Sequence, residues 1–341
     1  MRVTVPDYYE NFHCLAGECP HTCCEKWEVV IDEETAAFYK TVPGPLGDKL
    51  RSALKEDEDG DLCFPLNGGR CPFLDTDNLC EIHRELGEAA TSVTCREHPR
   101  FTEDYGPFRE ITLSASCPAA NALLLGSEAP LTFRTFETEE AEEEGDEWLT
   151  YLLPLRTRLL DILTDRRAPL RRRLEAFLLL AREAQWYLDE EREAELPALA
   201  ADWTAPKTEG ESGESPLFPG ALGFLGTLEM LDADWPALLA QAEAAEKAPQ
   251  PEALLERIAV YFAFRYLLKT VNDGDLLSRA ELCVFAVLTV ERLASACGLP
   301  EALRRFSAEI EHDDGNLEAL LEAFREEEGL SLGRFLAELE R

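Results

Sequence analysis

Positive charge is scarce in this chain: 33 lysines and arginines stand against 68 aspartates and glutamates, a formal net charge of -35 over 341 residues. So acidic a chain repels nucleic-acid phosphates and anionic lipid headgroups alike, which speaks against a nucleic-acid or membrane partner. Long apolar runs are missing too. No stretch approaches the roughly 18 uninterrupted apolar residues of a membrane span. The opening MRVTVPDYYENFHC has neither an apolar h-region nor a small-residue cleavage site, so a cytoplasmic protein is expected. No G-x-G-x-x-G loop is present, which removes the common nucleotide-cradling turn. Disorder is not expected either, because 45% of the residues are apolar.

Cysteine, by contrast, is plentiful and unevenly placed. Cys14, Cys19, Cys23, Cys24, Cys63, Cys71, Cys80, Cys95 and Cys117 precede residue 120, and only Cys283 and Cys297 follow it. In a reducing cytosol structural disulfides are rare, so clustered thiols point to metal or redox chemistry. The asymmetry, together with the acidic connection GSEAPLTFRTFETEEAEEEGDEW, draws a boundary near residue 127. A cysteine-rich metal domain is expected over 1–127 and a helical domain over 128–341.

Apolar spacings of three and four predict helices over 149–164, 169–196, 251–271, 275–297, 300–311, 316–328 and 331–340. The C-terminal region should therefore be all-helical and the chain mainly α. TAPKTEGESGESPLFPG, rich in Pro, Gly, Ser and Glu, reads as a mobile loop near 204–220. The cysteine-rich part should be irregular, since ligation replaces part of a hydrophobic core. WEVVID suggests an extended segment there. EETAAFYKTV suggests a helix, and CEIHRELG suggests two turns ended by Gly87.

Two groups of thiols carry the chemistry: Cys14-x4-Cys19-x3-Cys23-Cys24, then Cys71-x8-Cys80-x14-Cys95 and Cys117 before a proline. Soft thiolates at such spacings can wrap one soft centre. An iron-sulfur cluster is the leading reading. Structural zinc is the alternative, although zinc knuckles are usually more tightly paired, and buried structural thiols are a third.

The run YYENFHCLAGECPHTCCEKWEVVID, followed in order by CPFLDTDNLCEIHRELG, TCREHPR and SASCPAA, resembles the flagellin lysine N-methylase family, which contains a broader zinc- or iron-chelating cysteine-cluster module. The stretch RIAVYFAFRYLLKTVNDGDLLSRAELCVFAVLTVERL is similar in kind to that family's C-terminal half. The resemblance implies methylation of lysine ε-amines on flagellin or a similar surface protein, with S-adenosylmethionine as donor and an iron-sulfur cluster, of 4Fe-4S type, in the enzyme. It implies Cys14, Cys19, Cys23, Cys24, Cys71, Cys80, Cys95 and Cys117 as the metal set. Cys63, Cys283 and Cys297 fall outside it and read as buried thiols. A radical triplet would need a cysteine at position 26, which is Lys26.

Other side chains near the motifs have two readings each. Arg96 and Arg100 flank Cys95 and can grip the carboxylate of adenosylmethionine or pair with a neighbouring acid. Trp27 can stack on the adenine or sulfonium, or pack in a core. His13, His21, His83 and His98 lie beside cysteines as secondary ligand candidates. Tyr261, Phe262, Phe264, Arg265 and Tyr266 can line a pocket, though helical spacing favours core.

Overall fold

The computed structural model describes residues 1–27, 29–57, 60–206, 215–218 and 220–341. Its strands in chain order are β1 (Arg2–Pro6), β2 (Lys55–Glu56), β3 (Leu62–Cys63), β4 (Arg100–Asp104), β5 (Phe108–Leu113) and β6 (Phe133–Glu137). The helices of the first half are α1 (Glu33–Thr41), α2 (Gly44–Ala53), α3 (Glu81–Leu86), α4 (Val93–Glu97), α5 (Pro118–Leu125), α6 (Leu149–Thr164) and α7 (Leu170–Asp189). There follow α8 (Leu196–Asp202), α9 (Gly220–Leu225), α10 (Trp235–Ala244), α11 (Glu252–Tyr266), α12 (Leu277–Cys297), α13 (Leu299–Glu311), α14 (Asp314–Glu326) and α15 (Leu332–Leu339). The protein is mainly α-helical. No described helix is long and apolar enough to cross a membrane.

Two compact units divide the chain, and each is discontinuous. One comprises Met1–Glu10, Thr102–Thr112 and Ala122–Arg341; the other comprises Asn11–Phe101 and Leu113–Asn121. This differs from the single boundary expected near 127, and strand pairing supplies the reason. β1 pairs in parallel with β5, Val3 opposite Arg109, and antiparallel with β6, Val3 opposite Phe136. The resulting sheet runs β4-β5-β1-β6, so the first residues of the chain belong with a strand beyond residue 130. The larger unit is therefore not all-helical. Between β4 and β5 the chain turns at Gly106, whose φ of +86° suits glycine and where a Cβ would meet the Glu144 carbonyl at 2.7 Å.

Helices α11 and α12 form the centre of the larger unit. Every residue from Leu255 to Tyr266 and from Ser278 to Val290 is buried, which fits helices apolar on all sides. Helix α12 packs against α7, α10, α11, α13 and α14. Its start is fixed by Asp275, whose carboxylate accepts from the Ser278 N–H at 3.1 Å. Charges also enter this core in pairs. Arg156 on α6 donates twice to Glu110 on β5, at 2.6 Å each, and Glu256 on α11 accepts from Arg166 and Arg173.

The loop expected over 204–220 lies partly outside the described residues, at 207–214 and 219; residues 204–206 and 215–218 are irregular. The predicted helix over 169–196 is shorter, because α7 ends at Asp189 and a separate short helix, α8, begins at Leu196. WEVVID forms no strand among its described residues: only Val30 makes an isolated bridge, to Cys63.

The smaller unit has a hydrophobic core of its own, which the reading of a ligation-built domain did not anticipate. Ile31, Ala36, Tyr39, Val42, Leu50, Phe64, Phe73 and Ile82 pack together, and Cys71 and Cys80 lie against them. Tyr39 stacks on Phe64 at 5.9 Å and Phe64 meets Phe73 at 4.6 Å. The cysteine segments are thus laid over a small apolar cluster. Helix α3 ends where expected, at Gly87, with φ of +89°.

Candidate functional site

All eight cysteines of the expected metal set lie in the smaller unit, and backbone bonds fix how their segments meet. The Cys71 N–H donates to the Cys24 carbonyl at 2.8 Å. The turn before it, with Gly68 and Gly69 both at positive φ, lets the Lys26 N–H reach the Gly69 carbonyl at 2.9 Å. Arg70 ion-pairs with Glu25 across the same bridge. Cys71 and Cys80 are joined by a small ladder in which Leu74 bridges Cys80 and the Glu81 N–H donates to the Phe73 carbonyl at 2.8 Å. Its tip is closed by Asp75, which accepts from the Asp77 and Leu79 N–H groups.

Helix starts present three of the sulfurs. Cys80 caps α3 and Cys117 precedes α5. Burial pushes the Cys80 and Cys117 thiols up, opposed by the backbone N–H groups of Ile82 and His83 near the first and of Ala119 and Ala120 near the second. Cys95 sits in the first turn of α4, where the Ser92 hydroxyl accepts from its N–H at 3.2 Å. One carboxylate joins two of these elements: Asp32 caps α1 by accepting from Thr35 N–H and holds the start of α4 by accepting from Val93 N–H, both at 2.9 Å. Burial pushes the Asp32 carboxyl up, but the Val93 and Thr35 donors outweigh it and hold it below its ordinary value.

The thiols interact electrostatically as a chain. Cys23 feels Cys24, Cys14 and Cys95. Cys71 feels Cys24, Cys95 and Cys80, and Cys117 feels Cys19 and Cys14. All eight are free of disulfides. Burial pushes the Cys71 thiol up to about 12 and that of Cys95 to about 11. The adjacent pair behaves differently: the neighbouring Cys23 thiol holds that of Cys24 below its ordinary value, while its own is pushed up. Among the described residues no three His, Cys, Asp or Glu side chains stand in a metal-holding arrangement. The donor set nonetheless fits a soft thiolate-bound centre in its chemistry, and one orphan atom fits it too. The Tyr39 hydroxyl is buried without a hydrogen-bond partner and neighbours Cys95, Cys80 and Cys71, so a thiolate-bound centre there would give it an acceptor.

The other expected site residues are placed elsewhere. Among the described residues Arg96 pairs with no acid: it donates to the Thr91 carbonyl at 2.5 Å and more weakly to that of Ala89 at 3.5 Å. The Arg100 guanidinium lies 5.4 Å from the Phe12 ring centre. Trp27 is half-buried, its ring 6.2 Å from that of His98, whose imidazole burial pushes down to about 4. His13, His21 and His83 are exposed. Cys63 is buried in β3 and pairs with Lys55, and Cys283 is buried on α12.

In the larger unit the aromatic face of α11 is core, as helical spacing suggested, yet it is polar at its tips. Tyr261 and Tyr266 both donate to Glu311, at 3.1 and 3.0 Å, and Arg265 pairs with the same carboxylate at 2.9 Å. Glu311 carried no signal in the sequence because, apart from Ser307 one turn earlier, its partners lie 45 to 50 residues away.

The chain is similar to proteins named lysine-N-methylase from Salmonella choleraesuis (strain SC-B67) and Salmonella typhimurium (strain LT2), with 30% identity over 151 residues in each case. The match covers 40% of this chain and spans 38% of the length of each methylase. The flagellar biosynthetic protein FliU of Salmonella muenchen is 30% identical over 131 residues, covering 37% of this chain and 78% of that protein. No family model matches the chain. No solved structure matches it.

Proposed function

Because the chain belongs to the family of the flagellar biosynthetic protein FliU, we propose that it is a protein-lysine N-methyltransferase acting on flagellin or a similar surface protein in the cytoplasm. The observation that carries this reading is the likeness to two proteins named lysine-N-methylase. The methyl donor is S-adenosylmethionine. Transfer would form a nitrogen–carbon bond to the neutral amine as the donor's carbon–sulfur bond breaks with its electrons on sulfur, giving adenosylhomocysteine and a methylammonium that then sheds one of its protons. A free lysine has a pKa of about 10.4, so the amine must lose a proton before attack.

Four of the thiols of Cys14, Cys19, Cys23, Cys24, Cys71, Cys80, Cys95 and Cys117 would hold an iron-sulfur cluster of 4Fe-4S type, with zinc as the competing metal. When bound, such a group supplies a soft cationic centre that draws buried thiols into their ionised form. The protein contributes the N–H groups at the starts of α3 and α5 and the Tyr39 hydroxyl, all of which favour charged sulfur. The acidic charge of -35 suits a cationic lysine substrate.

Calorimetric titration of anaerobically purified, metal-replete protein with adenosylmethionine tests this reading, with the visible spectrum recorded beforehand. Saturable binding to a brown protein containing iron and sulfide supports it. A metal-replete protein that binds no adenosylmethionine would instead be a metal-delivery or electron-transfer protein.

A further inference from the structure

A cleft in the larger unit, where α6, α7 and α8 meet, has the opposite character from the chain as a whole. It encloses about 310 Å³, at the lower end of the size of small-molecule sites. Four arginines line it (Arg158, Arg167, Arg172 and Arg173) against three acids, Asp161, Asp165 and Glu175. In a protein of net charge -35 a lining with more cations than acids is unexpected.

Most of these charges are already matched. Arg167 grips Asp165 through two bonds of 2.7 and 2.6 Å, and Arg172 donates to Glu175 at 2.7 Å. Arg173, only 4% exposed, donates to Glu256 at 2.6 Å. Arg158 and Asp161 are the exceptions among the described residues: no carboxylate pairs with Arg158, whose bond is to the Trp203 carbonyl at 3.1 Å, and no cation pairs with Asp161. The Nε groups of both Arg158 and Arg173 are buried without a hydrogen-bond partner. The remaining wall is apolar: Ile162, Leu179, Trp203 and Pro206.

We propose that this cleft is a binding site for a small organic anion, a carboxylate or phosphate carried on an apolar or aromatic body, with Arg158 as its principal charge partner. The guanidinium is suited to either oxyanion through paired N–H donors. The Trp203 side receives the body of the ligand. This site is independent of the methyl-transfer reading and stands if that reading fails.

Benzoate and phenyl phosphate serve as probes, titrated into the full-length protein by calorimetry, with benzamide and inorganic phosphate as controls. At least one of the two anions should bind with Kd below about 1 mM, while neutral benzamide does not bind; which anion wins identifies the oxyanion. Arg158→Gln should weaken the winning probe at least tenfold. Ala176→Phe, which fills the cleft and leaves Arg158 in place, should abolish binding. Circular dichroism of each variant checks its fold, and either variant that folds suffices. The proposal is overturned if neither anion binds, if benzamide binds as well as benzoate, if inorganic phosphate binds as tightly as phenyl phosphate, or if binding survives in a folded variant.

Discussion

Asp32 and Tyr39 show what single side chains contribute to the cysteine region beyond the sulfurs themselves. Asp32 joins the starts of α1 and α4 through two backbone donors, so Asp32→Ala should lower the stability of the protein by about 1–2 kcal/mol, the range for a lost cap. Its folded pKa lies below its unfolded value of about 3.9. That contribution is therefore complete above about pH 4 and is lost as pH falls through the folded pKa. Urea denaturation of the wild type and Asp32→Ala at pH 7 and pH 3 checks this, since the difference between them should shrink at the lower pH. Among the described residues the buried Tyr39 hydroxyl has no hydrogen-bond partner, so Tyr39→Phe should leave the melting temperature of metal-free protein unchanged or slightly raised. In metal-replete protein the same substitution should lower it. Equal effects in both states would place the hydroxyl away from the sulfurs. The cysteine spacing made the sulfurs legible in sequence; Tyr39 and Asp32 were not, because their roles arise from neighbours up to 61 residues away.

At the scale of elements, helices were legible where a periodic apolar face met a clear start signal. The expected 149–164 coincides with α6, and α12 starts two residues after the expected Asp275. Strands were less so. β1 alternates, with Val3 and Val5 buried, but its five residues carry no sign that their partners are β5 and β6, over 100 positions away. Buried ion pairs were equally invisible. Glu256, with a fully buried side chain, is held by Arg166 and Arg173 and ties α11 to α7. Removing it leaves Arg173 buried without its carboxylate, so Glu256→Ala should cost about 3–5 kcal/mol. Thermal unfolding followed by circular dichroism at 222 nm gives the readout, and a loss below about 1 kcal/mol would show that Arg173 finds another partner.

For the whole molecule, composition separated a cysteine-rich stretch from a helical one, whereas the fold divides the chain into two discontinuous units. Their arrangement as interleaved segments was not visible, because it depends on β1 and on residues 102–112 pairing within the larger unit. The net charge of -35 bears on function directly. Attraction of a lysine-bearing substrate should weaken with salt, as the screening length falls from about 10 Å at 0.1 M to about 3 Å at 1 M. The most direct measurement is the intact mass of flagellin co-expressed with this protein, compared with flagellin expressed alone and with the Cys24→Ala variant. Mass increments in steps of one methyl group on lysine, present with the wild type and lost with Cys24→Ala, are the predicted result. Flagellin of unchanged mass beside well-expressed, metal-replete protein would contradict it.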